Sequence, residues 1–295
     1  MLTITDLSVR YPGGVQALQG VSLSVDCGLF GLLGPNGAGK STLMRTLATL
    51  QQPTSGAMHF AGEAIFDDPS AHRRRLGYLP QDFGVYPGIS ALALLDHLAV
   101  LKGLSDRAAR RAQVDALLHQ VNLWTDRHRA VSTFSGGMRQ RFGVAQALLG
   151  DPRLIIVDEP TAGLDPVERT RFYNLLAEIG DNVVVLLSTH IVEDVRQLCT
   201  RLAILVGGRV VREGTPDALL ATLRDRVWTA TVARGLAIPE VPPPHRVLSQ
   251  QRIAGAVRVR ALATAAPSAL FGPASADLDD VYLAALDEAG VAVAS

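Results

Sequence analysis

The stretch Gly34-Pro35-Asn36-Gly37-Ala38-Gly39-Lys40-Ser41-Thr42 constrains the fold of this chain more than any other. It follows the apolar run Leu29-Phe30-Gly31-Leu32-Leu33, which has the character of a buried strand. It precedes Leu43-Met44-Arg45-Thr46-Leu47, which has helical spacing. The order is strand, glycine loop, helix, and in that context the pattern G-x-x-x-x-G-K-[ST] has a mechanical meaning. Gly34, Gly37 and Gly39 bring backbone N–H groups within reach of phosphate oxygens where a Cβ would obstruct. The helix beginning near Lys40 points its unsatisfied N–H groups and positive dipole end at the same place. Lys40 is then suited to the β- and γ-phosphates of a nucleotide and the Ser41 hydroxyl to Mg²⁺. A glycine-rich turn without a ligand is the plain alternative.

Composition sharpens the role of the lysine. Lys40 and Lys102 are the only lysines, so arginine carries nearly all other positive charge. A compact ammonium fits between phosphates in a way that a planar guanidinium does not reproduce. With 28 basic and 28 acidic residues among 295, no net field favours nucleic acid or an anionic membrane. Cys27 and Cys199 stand far apart with no metal-ligand spacing, which suits a reducing cytosol. The start, Met1 to Asp6, lacks the basic and apolar regions of a signal peptide. No apolar run approaches the roughly 20 residues that span a bilayer. Work at a membrane would therefore be done from its side.

Upstream of the loop, Leu2, Ile4, Leu7 and Val9, then Leu18, Val21, Leu23 and Val25, alternate as in short antiparallel strands. The turn between them carries Tyr11, a ring able to stack on a base or simply to lie half buried. Downstream, Leu76 to Pro80 has the pattern of a strand with Gln81 at its exit, where an amide can reach a metal or a water. From about Ser90 to Leu123 the chain is helical in character, with Leu94, Leu95, Leu98 and Leu101 on one stripe and Leu117, Leu118 and Val121 on another. This block interrupts the α/β alternation as an inserted helical unit.

The block leads to Phe134-Ser135-Gly136-Gly137-Met138-Arg139-Gln140-Arg141. Ser135 is a candidate N-cap, and Gly136 and Gly137 would expose N–H groups at the start of the helix that follows. That is a second anion site, unless it is an ordinary capped helix. Next, Leu154 to Val157 implies a strand covered on both faces, hence a parallel sheet with helices on either side. Asp158 and Glu159 lie at its tip, and burying two carboxylates is costly unless positive charge is near. Mg²⁺ on Asp158 would satisfy the first, leaving Glu159 to face a γ-phosphate and orient or deprotonate water. Val183 to Ser188 is another two-sided strand, and it delivers His190 to the same end of the sheet, where ligands of open α/β sheets sit.

In this order the motifs resemble the ATP-binding subunits of ABC transporters, from about Leu2 to Leu223. The resemblance rests on Tyr11, the loop Gly34 to Thr42, Gln81, Ser135-Gly136-Gly137, Asp158-Glu159, Asp165 and His190 together. It implies an α/β fold: a P-loop ATPase cassette over 1–223, with an antiparallel β subdomain and a helical subdomain at about 82–150. A small C-terminal α+β extension, 224–295, would follow, with Pro239, Pro242, Pro243 and Pro244 as a stiff linker-like stretch, strands around Val247, Val257 and Val259, and a final helix from Asp277 to Ala289. Regulation and self-association are both open for it.

The resemblance also implies a mechanism. Two cassettes face each other head to tail, each ATP lying between the phosphate loop of one and the Ser135–Gly137 helix start of the other. Tyr11 stacks on adenine; Ser41, Gln81 and Asp158 surround Mg²⁺; Glu159 is the general base; His190 holds the γ-phosphate; Asp165 communicates across the dimer. Gln81 and the helical insertion would carry closure to a separately encoded membrane permease. The expected partners are thus a second copy or a paired cassette and that permease, not nucleic acid, at the cytoplasmic face of the membrane. Phe134 and Met138 depart from the family's Leu-Ser-Gly-Gly-Gln signature, and the variant resembles the subset of bacterial export-type permeases. An importer subunit is the alternative. A soluble ABC-type ATPase fits less well, lacking here a second cassette or long coiled-coil insertion, and a GTPase lacks its Asn-Lys-x-Asp motif.

Overall fold

Alternation of buried and exposed residues dominates the first two strands, β1 (Leu2–Arg10) and β2 (Gln16–Val25), with Leu2, Ile4, Leu7 and Val9 and then Leu18, Val21, Leu23 and Val25 facing inward. Such one-sided strands suit an antiparallel ladder with one wet face, and β1 pairs with β2 so that Leu2 lies opposite Val25 and Ile4 opposite Leu23. In the computed structural model residues 1–81, 83–84, 86–161, 163–179, 183–233 and 235–291 are described. Residue 82, the expected start of the helical unit, and Ala162, in the loop before Asp165, lie outside them, as do residues 292–295 of the extension.

Strand β3 (Gly28–Leu33) is buried from Leu29 onward and runs into the glycine loop and α1 (Lys40–Leu47). The hairpin β4 (Ser55–Phe60) and β5 (Glu63–Ala64) completes a four-stranded sheet of order β2-β1-β4-β5. A short helix, α2 (Pro69–Arg75), leads to β6 (Leu76–Leu79). The helical insertion follows as α3 (Ala91–Leu101), α4 (Arg107–Gln120) and α5 (Gly136–Leu148), with Leu94, Leu95, Leu117, Leu118, Val121 and Phe142 in its core. Leu101, expected on the same stripe as Leu94 and Leu95, is 71% exposed, because α3 ends there and nothing packs over it.

The chain then returns to the sheet through β7 (Leu154–Asp158), α6 (Pro166–Ile179), β8 (Val184–Thr189), α7 (Val192–Leu198), β9 (Arg201–Val206), β10 (Arg209–Gly214) and α8 (Pro216–Ala221). Six strands align in the order β10-β9-β3-β8-β7-β6, parallel except for the edge hairpin of β9 and β10. Successive residues serve opposite cores: Leu29, Leu33, Ile155, Val157, Val185 and Leu187 face the helices, while Phe30, Leu32, Ile156 and Leu186 face the antiparallel sheet and α1. Burial on both faces is why these strands are continuous apolar runs, and it brings the C-terminal ends of β3, β7 and β8 side by side.

The extension is a sheet of β11 (Val227–Ala233), β12 (Arg246–Ile253), β13 (Ala256–Leu262) and β14 (Gly272–Pro273) in the order β12-β13-β11-β14, closed by α9 (Leu278–Glu288). Pro239 to Pro244 do not link domains. They lie in the connection between β11 and β12, inside the extension. Nor does the hydrophobic core stop at residue 223: Val281, Ala284 and Ala285 of α9 share one core with Val195, Cys199, Leu219 and Leu223. The helix is fixed at its start by Asp277 and Asp280 in a capping box, and Arg260 of β13 donates from Nε to Asp280 at 2.8 Å.

Candidate functional site

The glycine loop bends between β3 and α1 because two of its residues take conformations an L side chain resists. Gly37 has φ +80° and Gly39, the N-cap of α1, φ +106°. A Cβ on Gly39 would also stand 2.5 Å from the Ala17 carbonyl oxygen. The loop thereby opens onto a cleft of about 730 Å³ lined by Tyr11, Asn36 to Thr42, Gln81 and Glu159.

Lys40 is only 4% exposed. Its Nζ donates to the carbonyls of Gly34 at 2.7 Å and Pro35 at 3.2 Å, and lies 3.3 Å from Glu159 Oε1. The other Glu159 oxygen stands 3.2 Å from His190 Nδ1. Glu159 itself has φ +47°, rare for a non-glycine residue, and its N–H donates to the Ser188 carbonyl at 2.8 Å. Strained backbone of this kind persists where surrounding contacts over-determine it. The tips of β7 and β8 thus hold Glu159 between a lysine and a histidine.

Asp158, one residue earlier, is buried and accepts from the Ser188 hydroxyl at 2.7 Å. Burial pushes its carboxyl above the usual range, against the opposing pull of the Ser188 and Ser41 hydroxyls and of Lys40. The buried Asp158 carboxylate, the Ser41 hydroxyl and the Gln81 amide oxygen are hard oxygen donors, and Ser41 and Gln81 line the same cleft. These residues fit Mg²⁺, which takes one or two protein oxygens and completes its shell with phosphates and water. Among the described residues no cluster of three or more His, Cys, Asp or Glu forms a self-sufficient metal cage. Tyr11 stands at the cleft mouth, 37% exposed, its hydroxyl 3.1 Å from both Thr42 Oγ1 and Gln51 Oε1.

The Ser135 to Gly137 helix start is elsewhere. Ser135 caps α5 by accepting the Met138 N–H at 3.2 Å, and the space around Gly136 is open. Gly137 packs directly against the Glu168 carboxylate, leaving no room for a Cβ. Ser135, Gly136 and Gly137 do not line the phosphate-loop cleft. Asp165 does not either; it accepts the Glu168 N–H at 2.8 Å in the first turn of α6. The phosphate loop and the start of α5 are thus separate places on one chain.

Sequence reasoning missed two side chains behind the cleft. Ser188 was visible only as the end of an apolar strand, although a hydroxyl there faces its neighbour strand's Asp158. Asp194, fully buried on α7, accepts hydrogen bonds from Thr161, Thr189 and Tyr173. Its signal was an acidic residue set between the apolar Val192 and Val195 four positions after His190.

Residues 18–162 match the protein family described as ABC transporter. The chain is 36% identical over 239 residues to the uncharacterized ABC transporter ATP-binding protein YxlF of Bacillus subtilis (strain 168), covering 80% of this chain and 78% of that one. It is 37% identical over 221 residues to the daunorubicin/doxorubicin resistance ATP-binding protein DrrA of Streptomyces peucetius, 74% and 67% of the respective chains. To the methionine import ATP-binding protein MetN 1 of Burkholderia lata it is 34% identical over 267 residues, 86% and 76% of the chains. Among solved structures, a dimeric post-hydrolysis state of the ATP-binding cassette MJ0796 bound to ADP and Pi matches with a TM-score of 0.67 and 27% identity, over 73% of this chain and 98% of that one. Among the described residues no helix is long and apolar enough to cross a membrane.

Proposed function

This chain belongs to the ABC transporter ATP-binding family and is an ATPase, and from that premise we propose that it energises export through a separate membrane subunit. The single observation that carries the site assignment is the meeting of Lys40, Glu159 and His190 beside Asp158 at the ends of three neighbouring strands. Nucleotide phosphates enter the loop 34–42, where backbone N–H groups and Lys40 receive them. Lys40 must leave its loop carbonyls and Glu159 to do so, which frees the carboxylate. Ser41, Gln81 and Asp158 would hold Mg²⁺, which when bound neutralises charge on the β- and γ-phosphate oxygens. Glu159 accepts a proton from the attacking water, and His190 holds the γ-phosphate. Tyr11 offers a ring for adenine.

A second chain completes the site. The Ser135 to Gly137 helix start of one copy, or of a paired cassette, closes on the ATP held by the other, and Asp165 lies in the loop that would face it. Gln81 and the insertion 82–150 pass that closure to the membrane subunit, with the cassette of 1–223 on the cytoplasmic face and 224–295 as a regulatory or dimerising extension. The likeness to DrrA and the Met138-Arg139-Gln140-Arg141 signature variant favour export. The likeness to MetN 1 favours import, the second reading. Vesicles reconstituted with this chain and a membrane permease that it activates, cassettes outward, separate the two. Export predicts ATP-driven accumulation in the lumen, away from the cassettes; loss of lumenal substrate on adding ATP would mean import.

A further inference from the structure

We propose that Asp194 is the positioning residue that holds Glu159 and His190 in register. The inference rests on the roles given above to those two side chains. Asp194 is fully buried, and it is not one of the residues lining the cleft. Its Oδ2 accepts from the Thr161 hydroxyl at 2.6 Å and the Thr189 hydroxyl at 2.7 Å, and its Oδ1 from the Tyr173 hydroxyl at 2.6 Å. A carboxylate is the one side chain of this size that accepts on every lone pair, so a single group can gather three O–H donors.

The donors come from the elements that matter to the reaction. Thr161 lies two residues beyond Glu159, after β7. Thr189 ends β8 and directly precedes His190, and its oxygen also receives the Ile191 N–H at 2.9 Å. Tyr173 sits on α6, which Asp165 immediately precedes and caps by accepting the Glu168 N–H. Asp194 therefore ties the chain just after the general base to the chain just before the γ-phosphate contact, and both to the helix leading back to the dimer-facing loop. The 3.2 Å contact between Glu159 and His190 is held from both backbone ends through one carboxylate. A misplacement of about 1 Å in such a pair costs on the order of 100-fold in rate.

The test uses the full chain in steady-state ATP hydrolysis, with ATP affinity from equilibrium binding and the fold followed by circular dichroism and thermal melting. Asp194→Ala should lower kcat at least about tenfold while the ATP Kd stays within about threefold, since the phosphate loop is untouched. Asp194→Asn keeps an oxygen for both threonines and should recover most of the lost rate. Thr189→Val should lower kcat in the same sense, and adding it to Asp194→Ala should cost nothing further, because both break one connection. A folded Asp194→Ala with kcat within about twofold of the parent would overturn the proposal, as would a loss of ATP affinity matching the loss of rate. If Asp194→Ala does not fold, an unchanged kcat in Thr189→Val overturns it. Glu159→Gln is run alongside. Normal turnover there removes the role of Glu159 and with it what Asp194 positions, whereas a silent Glu159→Gln beside an unimpaired Asp194→Ala overturns the positioning role alone.

Discussion

Replacing Gly39 with alanine and replacing Gly136 with alanine should have opposite consequences for the fold, although we propose a phosphate-binding role for both glycines. At Gly39 the backbone has φ +106°, which for an alanine stores about 1–3 kcal/mol of strain. The added Cβ would also stand 2.5 Å from the Ala17 carbonyl oxygen and 2.9 Å from Leu18 Cδ2, in the strand that backs the loop. Overpacking against a rigid backbone costs a further 1–3 kcal/mol or so. The expected loss is therefore about 2–6 kcal/mol, a large part of the roughly 5–15 kcal/mol that holds a folded domain together. At Gly136 nothing lies within 4 Å of the added methyl and φ is not in the left-handed region. Alanine in the first turn of α5 should be neutral or stabilising by up to about 1 kcal/mol. Its methyl would instead obstruct the approach of a second chain's γ-phosphate, so ATP hydrolysis should fall. Urea denaturation without nucleotide, beside ATPase assays of the same preparations, reads both. A Gly39→Ala protein within about 1 kcal/mol of the parent, or a Gly136→Ala protein destabilised by 2 kcal/mol or more, would refute this division of roles.

Three further outcomes follow from charged side chains. Burial pushes the Lys102 ammonium down to about 8 from its ordinary 10.5, so between those values the unfolded chain holds a proton that the folded chain has released. Stability relative to Lys102→Met should be flat below pH 8 and rise from about 8 to 10.5; a flat difference throughout would contradict it, and pH-dependent denaturation measures it. Arg260→Met strips the buried Asp280 of its Nε hydrogen bond at 2.8 Å, and should destabilise the chain by about 2–4 kcal/mol, somewhat less than a fully buried pair because Arg260 is partly exposed. Asp158→Asn removes a carboxylate whose burial already disfavours its charge, so the nucleotide-free protein should melt higher while hydrolysis is lost.

The parts of this protein that could be read in advance are those whose meaning is local. The phosphate loop declares itself because glycine spacing, lysine and flanking apolar runs occupy a single stretch, and two-sided strands show as Leu154 to Val157 and Val184 to Leu187. The placement of Glu159 and His190 at the strand tips was legible because each follows such a strand directly. Asp194 was not, since its three partners lie 33, 21 and 5 residues away and only the fold gathers them. The prolines at 239–244 show stiffness, but composition alone does not say which strands they separate, and in β11, the strand before them, Thr229 and Thr231 interrupt the apolar residues. Leu101 illustrates the converse. Helical spacing continued to the end of α3, whereas the partner surface stopped earlier.

The account stands most directly on the claim that ATP is enclosed between the phosphate loop of one chain and the Ser135 to Gly137 helix start of another. Sizing of Glu159→Gln with and without Mg-ATP, beside Lys40→Ala, measures this. The account predicts a monomer that becomes a dimer only with nucleotide, and no such shift in Lys40→Ala. A dimer formed equally without ATP, or a Glu159→Gln chain that binds ATP and stays monomeric at saturation, would contradict it.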